Sequence, residues 1–428
     1  MGKLARSVSI IGVGYTPIGK VNQHPEIKDL TESELVSWAA QEAMEDAGIK
    51  AKDIDAYLVG MSGPFQSANM KGPGPSFADW IGMKNKPCIS HDEGCATTGV
   101  GLDIAVEQVA SGKYDTVISI GVNINSCKAK VGGLPFERNE KASLSDIWDG
   151  VYCAFDPAYE KPMTGGNGGV EALAVKYMVD NNMTFKDMDD ACIGWMKSEN
   201  RAGLLNPKAL MCQTTLEEDA KAHGCASVEE YLTNPKYNPN VGSVVRSLFL
   251  GDVNVDGASA IIVCASDKAD QYLKKPIEVA GCGYASGMGD DYCVAPNPMD
   301  ERLFKEIYAM ADVKDPYAEV QYLSVHDCPS NTVMPVSEAA GYFHKGEAWT
   351  AMRDGRTAFD GDKPINTTGG KRQLGHPRSP SFGIEVAEAV QQMRGECGER
   401  QIKNPPKCSV IWGGGTAWSH AAVVLKTK

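Results

Sequence analysis

Short apolar runs alternate along the chain with longer segments whose apolar positions recur at helical spacing, the pattern of strands feeding helices. The run SIIGVGYTPIG at 9–19 opens as a buried strand and closes in a glycine and proline turn. The next segment carries a capping box, Thr31 to Glu34, then Leu35, Ala39, Ala43 and Met44 on one face and a glycine stop at Gly48. AYLVG at 56–60 reads as a second buried strand. In GLDIAVEQVASG at 101–112, Leu102, Ala105, Val106, Val109 and Ala110 follow helical spacing, and TVISIGV at 116–122 returns to a strand pattern.

The same unit occurs twice. IEVAGCGYASG at 277–287 repeats the apolar run and the G-x-G-Y of 9–19, and QYLSV at 321–325 matches AYLVG. FGIEVAEAVQQMRG at 382–395, followed by SVIWGGG, matches GLDIAVEQVASG followed by TVISIGV, and SHAAVVLKTK at 419–428 matches GASAIIVCAS at 257–266. Four correspondences in one order predict a duplicated α/β chain with helices covering its sheets. Residues 124–250 break the alternation with a glycine cluster, Gly165, Gly166, Gly168 and Gly169, and helix-like runs such as VEALAVKYMVDNN. The expected organisation is a first half over 1–123 plus 251–274, an inserted loop domain over 124–250, and a second half over 275–428.

Composition narrows the function classes. The chain has 428 residues, 43% of them hydrophobic and 23% charged, ordinary for a globular protein with two core-forming units. Its 13 cysteines form no C-x-x-C pair, which suggests neither a disulfide framework nor a zinc site and fits a reducing compartment, so no metal is expected and the location is read as cytoplasmic. A net charge of −13 without any basic run argues against nucleic acid, and any anionic ligand must find a local basic patch. No apolar run approaches the roughly 18 residues of a membrane span. GVGYTPIG and GCGYASG follow strands but lack G-x-G-x-x-G spacing, and are read as tight turns rather than nucleotide sites.

Candidate chemistry gathers at loop positions. HDEGCATTG at 91–99 sets Cys95 among small residues at or just before a helix N-terminus, where dipole and free N–H groups favour a thiolate. Packing as a small hydrophobe is the bland alternative for any such cysteine. In the second half, SVHDCPSN at 324–331 ends a strand with His326, Asp327 and Cys328. GGKRQLGHPRSPSFG at 369–383 puts His376 ahead of a helix, and WGGGTAW at 412–418 allows close backbone approach to a ligand. Singly, each has an ordinary structural explanation; together, at the edges of two repeated halves, they point to one reactive centre.

The order G-C-A-T-T-G, H-D-C, G-H-P and a terminal G-G-G resembles the thiolase superfamily, and the H-D-C motif is similar to that of sterol-carrier-protein-2-type thiolases. NRAGLLNP at 200–207, DVNVDGASAIIVCAS at 252–266 and GYFHKGEAW at 341–349 extend the resemblance over almost the whole chain. It implies a five-layered αβαβα architecture, a homodimeric core, and CoA as co-substrate without a permanently bound cofactor. It also implies Cys95 as nucleophile, His376 as the base that accepts its proton, His326 with His376 as donors to an enolate oxygen, and Cys328 as second acid and base. The backbone N–H groups of Cys95 and Gly413 would hold the acyl oxyanion. Relatives of this type work beside a small OB-fold and zinc-ribbon protein, so such a partner subunit is an expectation.

Three positions depart from the pattern. Ile411 stands where many family members carry a second cysteine, Pro329 follows H-D-C where an aromatic is usual, and Arg378, Ser379 and Pro380 follow G-H-P in place of small residues. Arg378 is therefore read as a substrate-binding residue, its guanidinium fork matched to a carboxylate. The expected reaction is thiolysis or condensation of a 3-oxoacyl-CoA, carboxylated or aromatic in the manner of benzoylsuccinyl-CoA, with acetoacetyl-CoA as the alternative substrate. A decarboxylating condensing enzyme shares the nucleophilic cysteine, but Cys328 argues against it. A non-catalytic acyl-binding scaffold would not need all three reactive loops.

Overall fold

The computed structural model describes residues 4–61, 73–126, 130–131, 134–135, 167–241, 244–252, 254–287, 297–415 and 419–427. The first half consists of β1 (Val8–Tyr15), α1 (Glu32–Ala47), β2 (Ala56–Gly60), β3 (Cys88–His91), α2 (Thr97–Ala110) and β4 (Thr116–Asn123). Four helices follow, α3 (Asn167–Asp180), α4 (Phe185–Leu204), α5 (Leu216–Ala222) and α6 (Val228–Thr233). The chain then returns through β5 (Gly257–Ala265). The second half comprises β6 (Ile277–Ser286), α7 (Pro298–Ala311), β7 (Tyr322–Ser324), α8 (Val333–Ala339), α9 (Ala348–Arg353), α10 (Ser381–Arg394), β8 (Cys408–Gly415) and β9 (Ser419–Lys426). Of the predicted glycine cluster, Gly168 and Gly169 start α3, whereas Gly165 and Gly166 lie outside the described residues, as does the end of WGGGTAW.

Strands run in the order β3-β2-β4-β5-β1-β6-β9-β8-β7. β2 lies parallel to β3 and β4, while β5 is antiparallel to β4 and β1. The second half repeats this: β8 is parallel to β7, and β9 is antiparallel to β8 and β6. Where the first half has β3, the second has a parallel bridge between Leu323 and Ile365. Among the described residues, the strands of the two halves join into this one order through Ser9 with Glu278 and Ile10 with Ile277.

Helices complete five layers. α1 begins on the predicted capping box, its Glu34 accepting from the Thr31 N–H at 2.8 Å, ends at Gly48 with φ 71°, and covers the outer face of β1 and β5. α7 covers β6 and β9 on the opposite side, and α2 and α10 lie between the sheets, each touching strands of both halves. Such strands are buried on both faces, which explains the near-continuous apolar runs. Met188, Trp195 and Met196 of α4 share one apolar cluster with Leu303, Phe304 and Ile307 of α7 and Met352 of α9, so this segment packs on the second half.

The starts of α2 and α10 meet in the central layer. Thr98 donates through both its N–H and its hydroxyl to the Ser379 carbonyl, and Ser259 Oγ donates to Pro380 O at 2.9 Å. There is no space for side chains here: a Cβ on Gly121 would lie 2.2 Å from Thr98 Oγ1 and 3.0 Å from Pro380 Cα, and one on Gly383 would lie 2.3 Å from Ser259 Oγ. Gly121→Ala should therefore cost about 1–3 kcal/mol by overpacking against backbone that cannot yield. Chemical denaturation reads the loss, and unchanged stability would show that this junction relaxes freely.

Candidate active site

Each reactive residue sits at a strand or helix end whose position the fold fixes. Cys95 lies in a single turn, Gly94–Ala96, that runs directly into α2. Thr97 braces that turn, its hydroxyl accepting from Glu93 N at 2.8 Å and donating to Gly94 O at 2.6 Å. His326 follows β7, where Asn366 clamps Val325 through both its N–H and its carbonyl, at 2.9 and 2.8 Å. The His326 carbonyl accepts from Thr332 Oγ1 at 2.9 Å. His376 is held by its backbone N–H, which donates to Asp252 O at 2.8 Å. β8, the strand that carries Gly413, lies against the Cys95 turn.

The structure brings Cys95, His326 and His376 together, with the sulfur and ring nitrogens all within 4.8 Å of one another. The imidazoles meet edge to face at 4.6 Å between centroids. Both nitrogens of His376, a buried side chain, are without a hydrogen-bond partner among the described residues, which leaves them free for thiol or substrate. Cys95, His326 and Cys328 keep partial exposure, so a ligand can reach them. Cys328 packs on the backbone of Gly251, where a Cβ would stand 3.0 Å from its sulfur. One sulfur and two imidazoles are also a donor set for a thiophilic metal ion, which would occupy the sulfur that acyl transfer requires.

Electrostatics differ from the expectation of a resting thiolate. Burial pushes the Cys95 thiol up to about 11, outweighing the pull of Arg378 and Lys371 toward ionisation. Burial, then the charge of Cys95, pushes Cys328 up to about 12. The same desolvation, aided by Lys371, pulls His326 down to about 3, and His376 falls well below the usual histidine range. At neutral pH the centre thus holds two thiols and two neutral imidazoles, proton donors beside proton acceptors, and none of these four groups is charged.

Arg378 has a left-handed backbone, φ 62°, is partly exposed, and forms no ion pair among the described residues. Its charge acts on both Cys95 and His376, so it belongs to this centre rather than to a remote surface. Sequence reasoning missed Asn366, Asp252 and the buried Lys371. A lysine inside G-G-K, in a segment otherwise shaped for close packing, was the available signal for the last.

A cysteine with paired histidines, shared between two halves of a duplicated five-layer α/β fold, is an arrangement suited to thiol-dependent acyl transfer. The thiolase N-terminal domain matches residues 8–155 and the thiolase C-terminal domain-like family matches residues 304–427. The chain belongs to the thiolase family of acyltransferases, with CoA as co-substrate. It is 27% identical over 402 residues to an acetyl-CoA acetyltransferase of Methanothermobacter thermautotrophicus, covering 93% of this chain and 94% of that one. It is 26% identical over 427 residues to benzoylsuccinyl-CoA thiolase subunit BbsB of Thauera aromatica, covering 96% of each. Among solved structures, the Ltp2-ChsH2(DUF35) aldolase matches with a TM-score of 0.73 at 19% identity, covering 99% of this chain and 98% of that one. Human mitochondrial 3-ketoacyl-CoA thiolase in complex with CoA matches at 0.66 and 14% identity, covering 100% and 99%. No helix among the described residues is long and apolar enough to cross a membrane.

Alkylation of Cys95 by iodoacetamide, followed by peptide mass mapping, should be slow at neutral pH and rise toward about 11, because only the thiolate reacts. Removing a nearby cation raises a thiol pKa, so Arg378→Ala should displace that rise to higher pH. A plateau already at neutral pH, or no displacement in the variant, contradicts this assignment.

Proposed function

We propose that the chain cleaves a 3-oxoacyl-CoA with CoA, or runs the reverse condensation, through an acyl group on Cys95. The observation that carries this reading is the convergence of Cys95, His326 and His376 within 4.8 Å, with Cys328 alongside. His376 takes the proton of Cys95 as the sulfur adds to the ketone carbon, and the oxyanion lies against the N–H groups of Cys95 and Gly413. The carbon–carbon bond then breaks, its electron pair passing into the thioester enolate, whose oxygen meets His326 and His376. Cys328 protonates the enolate carbon and leaves as a thiolate, which takes a proton from incoming CoA. The CoA thiolate displaces Cys95 from the acyl group, and the imidazolium of His376 returns its proton to the departing sulfur. A thiol as weakly acidic as Cys328 suits this part, because it keeps its proton until a carbanion forms.

Cys95→Ser should fold normally and give no acyl adduct by intact mass after incubation with an acyl-CoA. Cys328→Ala should still be acylated, yet lose about 10²- to 10⁴-fold in α-proton exchange. An adduct on the serine variant, or undiminished exchange in the alanine variant, overturns the assignment.

The acyl group follows from Arg378. A guanidinium beside the nucleophile, without a protein carboxylate among the described residues, supports a carboxylated 3-oxoacyl-CoA over acetoacetyl-CoA. The similarity to benzoylsuccinyl-CoA thiolase subunit BbsB agrees with that choice, while the similarity to acetyl-CoA acetyltransferases keeps acetoacetyl-CoA as the second reading. Subunit naming in the first case, with the two-component name of the Ltp2-ChsH2(DUF35) aldolase, supports a hetero-oligomeric assembly, while the homodimeric core and the OB-fold and zinc-ribbon partner rest on the resemblance to thiolases and the cytoplasmic location on the cysteine pattern. Arg378→Ala should weaken kcat/KM for a carboxylated substrate by about 2–5 kcal/mol and leave acetoacetyl-CoA far less affected. Arg378→Lys should recover little, having lost the bidentate fork. Equal losses on both substrates would mean that Arg378 does not read the acyl group.

A further inference from the structure

Beneath the reactive loops lies a buried ionisable group that the reaction above does not use. Glu199 of α4, Asp327 between His326 and Cys328, Lys371, and Glu385 of α10 are each 2% exposed or less. Lys371 is committed: its Nζ donates to Glu385 Oε1 at 2.5 Å, and Glu385 also accepts from Ser324 Oγ at 2.9 Å and Thr368 Oγ1 at 3.2 Å. The Lys371 backbone N–H donates to both oxygens of Asp327, at 3.2 and 3.1 Å. Neither oxygen of Glu199 has a well-formed hydrogen bond among the described residues.

Glu199 faces Asp327 across Gly370. A Cβ on Gly370, whose φ is +63°, would fall 1.4 Å from Glu199 Oε1 and 2.5 Å from Asp327 Oδ2. Only glycine leaves room for two carboxyl groups to meet there. Two adjacent buried carboxyls without a free counter-charge cannot both ionise, whereas a proton held between them satisfies both. Asp327 already accepts the Lys371 N–H, whereas Glu199 has no well-formed hydrogen bond, so Glu199 is the carboxyl placed to carry the shared proton.

We propose that Glu199 is a neutral carboxylic acid that donates its proton to Asp327, and that this hydrogen bond positions the His326–Asp327–Cys328 loop against the Gly369–Gly370–Lys371 turn leading to His376. Glu199 is thus a positioning residue that acts through Asp327. Its consequence for turnover rests on the thiolase reading; its protonation state does not. The groups facing it are Asp327 from the reactive loop, the Lys371 ammonium from the turn, and the indole of Trp195 from its own helix, with Glu385 beyond Lys371. Burial first, then the charge of Asp327, pushes Glu199 well above the usual carboxyl range. Ionising it at high pH would set two anions face to face and add negative charge near Cys328, whose ionisation Asp327 already opposes.

Infrared spectroscopy of the full chain at neutral pH should show the C=O stretch of an un-ionised carboxyl, absent from Glu199→Gln. Glu199→Ala, which leaves Asp327 without this donor, should lose kcat by about 10²-fold with a smaller change in KM. Glu199→Gln offers an N–H to Asp327 but cannot ionise, so it should recover most of that kcat and move the alkaline limb of the pH profile upward. An unchanged carboxyl band in Glu199→Gln, or pH profiles that coincide with wild type, overturns the proposal. If Glu199→Ala does not fold, the infrared band and the glutamine profile decide it. A band lost in Glu199→Gln from a protein without any thiolase turnover would refute the thiolase reading and leave the proton assignment standing.

Discussion

The contact between Thr98 and Ser379 is the constraint on which the reactive centre depends. Cys95 stands three residues before Thr98, and His376 three residues before Ser379. Fixing one carbonyl with two donors from a facing helix start therefore sets the separation of Cys95 and His376 across two halves of the chain. The junction is closed by the missing side chains of Gly121 and Gly383 and by Ser259, whose hydroxyl holds the next carbonyl. Precise placement matters because acyl transfer loses rate steeply with small displacements of the reacting groups.

Burial then decides the charge state of everything that this contact brings together. A helix start and two nearby cations all favour a Cys95 thiolate, yet desolvation outweighs them, and it also strips protons from the two imidazoles. Arg378 and Lys371 consequently work against a larger opposing effect: they make the thiolate attainable during reaction without making it the resting state. Lys371 itself is tolerated in the interior because Glu385 pairs with it, an arrangement whose value is placement of charge more than stability.

Much of this was legible in the sequence. The repeat, the Thr31 capping box, the strands buried on both faces, and Cys95 at a helix start all follow from local pattern, and the structure has them where the pattern places them. The buried polar partners were not legible. On an amphipathic surface helix, polar residues such as Glu385, Glu388 and Gln392 would face solvent, but α10 lies between two sheets and has no solvent face. Its polar row is instead satisfied from distant loops, by Lys371, Arg400 and Thr367. Likewise nothing local marks Glu199, 128 residues before Asp327, as its neighbour. Such contacts are fixed by topology, which periodicity does not encode.

Duplication explains why the centre has members from both halves. Cys95 and His376 occupy corresponding places, each just before the helix that its half contributes to the central layer. Because those helices lie side by side with their starts together, residues at equivalent positions of the repeat, Cys95 and His376, become neighbours. The halves diverged where the second traded a third strand for the single Leu323–Ile365 bridge. Freed from a strand, the residue after Ile365 turns back with φ 50°, and Asn366 uses its side chain to clamp Val325 at the root of the His326 loop. The position that β3 holds in the first half is thus taken by a single bridge, beside which Asn366 supports the loop that carries His326 and Cys328.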